Sequence, residues 1–287
     1  MMRLTTFKPL WGNDRPIEEA CRQANEAGFN GIEGHAPITN HQAWSNAMAE
    51  HQCDYVAEIV SGGDYVPDRH WRVSQHLDDI RRQIEQAKPL APLFANCIVG
   101  CDAWSESEMM HFFEQALSLE SEMGLPLSFE THRSRCLFTP WITDRLARAL
   151  PDLKLTLDMS HWCVVAERQM ATEMDLIERI APQVFHLHAR VGYDQGPQVP
   201  DPAAPEYEYA LRTHERIWQM IWQQQKTSGR DTSTLTPEFG PDGYCHLLPY
   251  TQAPVADIWQ INQWMNRRER RVFHDFFNDD DTTGSKP

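Results

Sequence analysis

The 287-residue sequence has no apolar run approaching the roughly 20 residues that a helix needs to cross a bilayer, and Met1 to Gly12 form neither a signal peptide nor a basic amphipathic presequence. A soluble, intracellular protein is expected. Basic charge is scarce: 26 Lys and Arg stand against 41 Asp and Glu, a formal charge of −15. That balance repels phosphate backbones and anionic membranes, so neither nucleic acid nor membrane is expected as a partner. The seven cysteines (Cys21, Cys53, Cys97, Cys101, Cys136, Cys163 and Cys245) are odd in number, and no pair has the two-residue spacing of zinc knuckles or redox motifs. Reduced thiols in a cytoplasm follow. Glycine is also missing where a doubly wound nucleotide-binding sheet would need it. The first strand-to-helix turn reads Pro9-Leu10-Trp11-Gly12-Asn13-Asp14, with no phosphate cradle.

What the sequence does contain, at 41% hydrophobic and 23% charged residues, is an alternation of short β-rich runs and longer helical patterns. Strands are expected at 3–8, 30–33, 55–60, 93–99, 126–130, 153–158, 184–188 and 234–238. Helices are expected at 16–27, 41–51, 70–88, 106–123, 140–149, 172–180, 207–226 and 254–277. Pro16, Glu18, Glu19 and Gly28 mark the ends of the first helix, and Gly124 and Gly229 mark two later exits. Eight such units in this length fit one α/β domain, a closed (β/α)8 TIM barrel over residues 1–277, with a disordered tail at 278–287. The proline-bearing stretch from Asp194 to Tyr207 is expected to form part of a lid.

Side chains alternate along a strand, and the last inward position of a barrel strand opens onto the catalytic face. In Leu127-Ser128-Phe129-Glu130 the apolar residues turn outward, so Ser128 and Glu130 face in. In Leu153-Lys154-Leu155-Thr156-Leu157-Asp158 three leucines cover the outside, leaving Lys154, Thr156 and Asp158 inward. Val184-Phe185-His186-Leu187-His188 sends both histidines in, with His188 nearer the mouth, and Leu235-Thr236-Pro237-Glu238 sends in another acid. Four consecutive strands thus bring Glu130, Asp158, His188 and Glu238 to one rim. Buried carboxylates side by side take up protons unless something neutralises them, and a divalent cation is the simplest remedy. Three carboxylates and one imidazole suit Mn²⁺, Mg²⁺ or Co²⁺, with Zn²⁺ also allowed.

Phe129-Glu130, Leu157-Asp158-Met159-Ser160-His161, Phe185-His186-Leu187-His188 and Pro237-Glu238-Phe239-Gly240 resemble the motifs of the xylose-isomerase-like sugar isomerases and epimerases, relatives of the endonuclease IV barrel. The specific matches lie in the second half of the chain. The resemblance implies that Glu130, Asp158, His188 and Glu238 hold one metal, that Glu130 and Glu238 act as acid and base on either side of a substrate carbon, and that His161 touches a substrate oxygen. It thereby implies a metal-stabilised enediolate and inversion at a carbon next to a carbonyl, in a small sugar or sugar-derived substrate.

Alternation also turns Arg190 and Glu33 toward the mouth as substrate-binding candidates. Trp11, Trp162 and Phe239 are candidates for an apolar wall, and His186 for a support of His188. Three other readings compete. A dehydratase would use the same enediolate to expel a hydroxyl. An endonuclease IV-like phosphodiesterase would need more histidines at strand ends and a basic groove, and a barrel with a degenerate site would bind sugar without turnover. The apolar-rich last helix, with Ile258, Trp259, Ile261 and Trp264, is compatible with a homo-oligomer or with simple cover for the barrel.

Overall fold

The computed structural model describes residues 2–241 and 243–283, with side chains described as far as residue 278. Eight parallel strands close in chain order into a barrel: β1 (Arg3–Pro9), β2 (Gly31–Gly34), β3 (Asp54–Val60), β4 (Ala95–Ile98), β5 (Leu127–Glu130), β6 (Leu155–Leu157), β7 (Val184–His188) and β8 (Thr232–Thr236). The seam pairs β1 with β8, Arg3 opposite Thr232 and Thr6 opposite Leu235. The expected (β/α)8 TIM barrel is the observed fold.

The outer layer comprises α1 (Ile17–Glu26), α2 (His41–His51), α3 (Val73–Ala87), α4 (Glu106–Met123), α5 (Pro140–Ala149), α6 (Met159–Val165), α7 (Met174–Ile180), α8 (Glu208–Thr227) and α9 (Ile258–Thr283). Local chemistry fixes several of these ends. Ser105 and Glu108 form a reciprocal capping box at the start of α4, and Gly124 closes it at φ +63°. The outward strand residues Leu127, Phe129, Leu155, Leu157 and Leu187 are wholly buried under the helices. A separate small cluster of Phe7, Val56 and Phe94 lies against His186, with ring centroids 6.2 Å (Phe7) and 5.1 Å (Phe94) from the imidazole.

Several expectations need correction. β6 ends at Leu157, and Asp158 becomes the N-cap of the unexpected helix α6, accepting the Ser160 N–H at 2.8 Å. A side chain that both caps a helix and follows a three-residue strand ends the β pattern early. Lys154 lies before the strand and pairs with Glu120 of α4 at 2.6 Å rather than facing into the barrel. The last helix continues to Thr283, so the expected tail from 278 begins within it, and residues 284–287 lie outside the described residues. The Asp194–Tyr207 loop folds back as a brace: Gln198 accepts the Gly240 N–H at 2.9 Å and donates to the Gly240 carbonyl at 3.2 Å. No helix among the described residues is long and apolar enough to cross a membrane.

Candidate metal centre and cavity

Glu130 and His188 close β5 and β7, while Asp158 and Glu238 follow β6 and β8 by one and two residues. Glu130, Asp158, His188 and Glu238 are all buried, and one ligand atom from each lies within 4.8 Å of the others. Glu238 stands two residues past β8 with φ +56°, a left-handed conformation uncommon for a non-glycine residue. Its neighbours hold it there. The Phe239 N–H donates to Asn262 Oδ1 at 3.0 Å, and the Asn262 amide returns a bond to the Phe239 carbonyl at 2.9 Å.

The orientation of His188 is set from behind. Its Nε2 lies 3.0 Å from Glu33 Oε1, and the other Glu33 oxygen meets His186 Nε2 at 3.3 Å and the Thr236 hydroxyl. With Nε2–H donating to Glu33, Nδ1 faces the cluster. It sits 2.7 Å from Glu238 Oε2 and 3.4 Å from Glu130 Oε2, yet the ring direction misses both oxygens and no hydrogen bond forms. Glu130 Oε1 and Glu238 Oε2 are likewise buried without a hydrogen-bond partner. Two other oxygens are anchored: Asn96 donates to Glu130 Oε2 at 2.7 Å, and Arg190 pairs with Asp158 Oδ2. Three buried ligand atoms without a hydrogen-bond partner, on residues clustered within 4.8 Å of one another, suit a cation site.

The electrostatics carry the same signature. Burial pushes the Glu130 carboxyl well up, with Glu238 and Asp158 adding to the rise against His188. Burial also raises Asp158, against the pull of Arg190. Burial favours neutral His188, but Glu238, Glu33 and Glu130 outweigh it and raise the imidazole well above its ordinary range. For Glu33 and Glu238, burial is outweighed by the neighbouring cations, and both carboxyls fall below their ordinary value. A dication would compete with the protons that burial favours on Glu130 and Asp158.

His161 is fully buried, its Nε2 2.7 Å from Arg190 Nη2, 3.5 Å from Asp158 Oδ2 and 3.7 Å from Glu130 Oε1, while its Nδ1 has no hydrogen-bond partner. Glu130, His132 and His161 form a second group with metal-ligand spacing, but Arg190 and Arg133 lie beside its two imidazoles, whose tilted rings have centroids 3.9 Å apart. Burial, with His132 and Arg190, holds His161 well below its ordinary value.

The cluster opens into a cavity of about 750 Å³ lined at its inner end by Glu238, Arg190 and His132. Trp11 and Tyr244 form one wall, edge to face at 4.8 Å, with the Arg190 guanidinium 4.7 Å from the Tyr244 ring centre. Gly240 is needed here because a Cβ would fall about 2.0 Å from the Trp11 ring. Of the residues singled out by alternation and motif, Glu130, Asp158, His188, Glu238, His161 and Arg190 are brought together, and Trp11 reaches the cavity. Glu33 does not: both its oxygens are taken up by His186, His188 and Thr236, so the structure makes it a support for His188. His186 stands beside it in the expected supporting layer. Trp162 and Phe239 are wholly buried, and Trp162 donates to the Leu137 carbonyl at 3.0 Å, so neither is a cavity wall. The expected lid residues contribute nothing to the lining, whereas Tyr65 and Trp71, from the loop after β3, and Tyr244, from the loop after β8, do. Sequence reasoning missed these and His132. Only His132, two positions beyond Glu130 on the same alternation, carried a readable signal.

No family model and no curated protein sequence matches the chain. Its fold is that of the xylose-isomerase-like TIM barrels, as its structural neighbours show. One is an L-ribulose 3-epimerase, 12% identical, covering 100% of both chains with a TM-score of 0.67. A xylose isomerase-like TIM barrel protein from Mycobacterium smegmatis, solved in complex with magnesium, is 12% identical over 95% of this chain and 98% of its own, with a TM-score of 0.61. Endonuclease IV from Thermus thermophilus is 13% identical over 96% of this chain and 100% of its own, with a TM-score of 0.59. At these identities the likeness concerns the fold.

Proposed function

We propose that the protein is a divalent-metal-dependent isomerase or epimerase of a sugar or sugar-derived substrate, acting by proton transfer next to a carbonyl. The observation that carries this reading is the buried cluster of Glu130, Asp158, His188 and Glu238, with one ligand atom of each within 4.8 Å of the others, at the foot of a cavity. Glu130, Asp158, His188 and Glu238 would hold one ion, Mn²⁺, Mg²⁺ or Co²⁺ by the hardness of the donor set. When bound, it supplies Lewis-acid stabilisation of the negative charge that develops on the substrate's carbonyl oxygen.

The protein's own groups supply the rest. One of the two glutamates, Glu130 or Glu238, takes the proton from the carbon beside the carbonyl, and the other returns one from the opposite face. They come from non-adjacent strands, β5 and the end of β8, which allows approach from two sides. Arg190 extends its fork toward the cavity from beside Asp158, placed to donate to substrate oxygens. Trp11 and Tyr244 exclude water from one side. Neighbours of the same fold with epimerase names support the reaction class.

The test is ketose turnover by metal-loaded protein in D₂O, followed by NMR. Exchange at the carbon next to the carbonyl with the skeleton retained is expected, and Glu130→Gln or Glu238→Gln should reduce it by at least ~100-fold, the scale of a lost general acid or base. Undiminished exchange in either variant would falsify the acid–base assignment. Net loss of water instead would identify a dehydratase, an outcome kept open by the fold neighbour described as a probable 3-DHS dehydratase from Bacillus anthracis.

A further inference from the structure

The cavity is larger than the proposed reaction requires. At about 750 Å³ it has room for roughly 25 waters at ~30 Å³ each, and a single hexose at the metal cluster fills only its inner end. The outer end is bounded by Trp71 from the loop after β3 and by Asp79, Arg82 and Gln83 from α3, with Glu58 of β3 and His35 on the adjoining wall.

This outer wall is built rather than incidental. Arg135 is wholly buried, and its guanidinium donates to the carbonyls of Ser61, Asp64 and Tyr65 and, at 3.4 Å, of Gly100, fixing the path of the loop. His76 of α3 adds a bond to the Ser61 hydroxyl at 2.7 Å. Trp71 rests edge to face on that imidazole at 5.8 Å and keeps part of its surface open to the cavity.

The chemistry of the lining selects what fits. Glu58, Asp64 and Asp79 bring three carboxylates, and the charge of Arg82 is already paired with Asp79. A phosphate, a nucleotide or a second carboxylate would meet net negative charge there. An uncharged polyol would not: the carboxylates accept from hydroxyls, while Trp71 and Tyr65 offer apolar faces to ring carbons.

We infer that the outer chamber is a subsite for a second, uncharged sugar unit, so that the substrate is a ketose carrying a glycosidic substituent and not a free ketose. The inference rests on the sugar-isomerase reading above and names its substrate class.

The experiment compares fructose with lactulose and isomaltulose, each a fructose bearing a second hexose, on the metal-loaded full-length protein. Deuterium exchange gives kcat/KM, and calorimetry gives binding. The disaccharides should surpass fructose by about tenfold or more in one or both measures, and Trp71→Ala should cut that ratio by about tenfold, equivalent to ~1.4 kcal/mol. Arg82→Ala, at an exposed position of α3, should cut it several-fold and serves if the tryptophan variant does not fold. Fructose handled as well as the disaccharides, or both variants weakening the two sugars alike, would overturn the subsite and leave the isomerase reading standing. Selective disaccharide binding without exchange in any sugar would uphold the subsite and dismiss the proposed reaction.

Discussion

The two halves of the barrel do different work. In the half from β5 to β8, strand ends carry the charged cluster itself: Glu130, Asp158, His188 and Glu238. In the half from β1 to β4 they carry supports and walls. Glu33 of β2 holds His188, Asn96 of β4 holds Glu130, and Glu58 of β3 faces the cavity. The second half gathers like charges at a density that burial alone would not tolerate, and the first half supplies the partners that orient them. On the proposed reading, chemistry and recognition are separable: strand ends would fix the reaction, and the loop after β3 would set the substrate's shape.

The sharpest test of that division changes one residue from each half. His188→Ala deletes a proposed ligand and should weaken Mn²⁺ binding by more than ~100-fold in a calorimetric titration, whereas Glu33→Gln, at the residue behind the imidazole, should weaken it roughly 10- to 100-fold. Wild-type protein with Mn²⁺ at 100 times the dissociation constant should gain ~2.7 kcal/mol of stability, a rise of roughly 4–5 °C in Tm for a chain of this size. Full-strength metal binding by Glu33→Gln would erase the supporting role assigned to the first half.

A second comparison is between the two buried histidines that anchor loops. His214 of α8 donates from Nδ1 to the Ala210 carbonyl at 2.9 Å and accepts the Gly192 N–H at 3.3 Å, fixing the segment after β7 that carries Arg190. His76 does the same for the loop after β3. Burial lowers His214 from 6.5 to about 4, so the folded protein keeps it neutral while the unfolded chain takes up a proton. Its contribution is intact above pH 6.5 and is lost as pH falls toward about 4, a loss of ~3 kcal/mol for this group. Urea unfolding across that range should show the slope, and His214→Gln should flatten it. An unaltered slope would show that the histidine titrates freely in the folded state.

How much of this is legible in the sequence follows from where each residue sits. Glu130 and His188 obey the two-residue alternation of a strand, so their inward direction can be read from the leucine and phenylalanine beside them. Asp158 and Glu238 lie just past their strands, one as a helix cap and one at positive φ. The alternation points to the right rim for both while misplacing the strand ends. The role of Glu33 cannot be read, because what it touches is 153 and 155 residues away in sequence. Tyr65, Trp71 and Tyr244 come from loops without periodicity, where direction is set by tertiary bonds such as those of Arg135. The Asp194–Tyr207 loop reads as a lid and folds as a brace, because length and proline content mark a surface excursion without saying which way it turns.

Arg135 gives the smallest effect and the most selective one. Its side chain touches neither the four ligands nor the cavity; it acts through the carbonyls of the loop that carries Tyr65 and Trp71. Replacing it with methionine frees that loop, and because a desolvated charge is removed along with the hydrogen bonds, the global stability change should be smaller than the lost bonds alone would give. Arg135→Met should therefore lower lactulose affinity by about tenfold while Mn²⁺ affinity stays within about twofold, both read by calorimetry on the same preparation. A parallel fall in the two affinities would mean that the loop and the cluster form one cooperative unit, and the separation of recognition from chemistry across the two halves of the barrel would have to be given up.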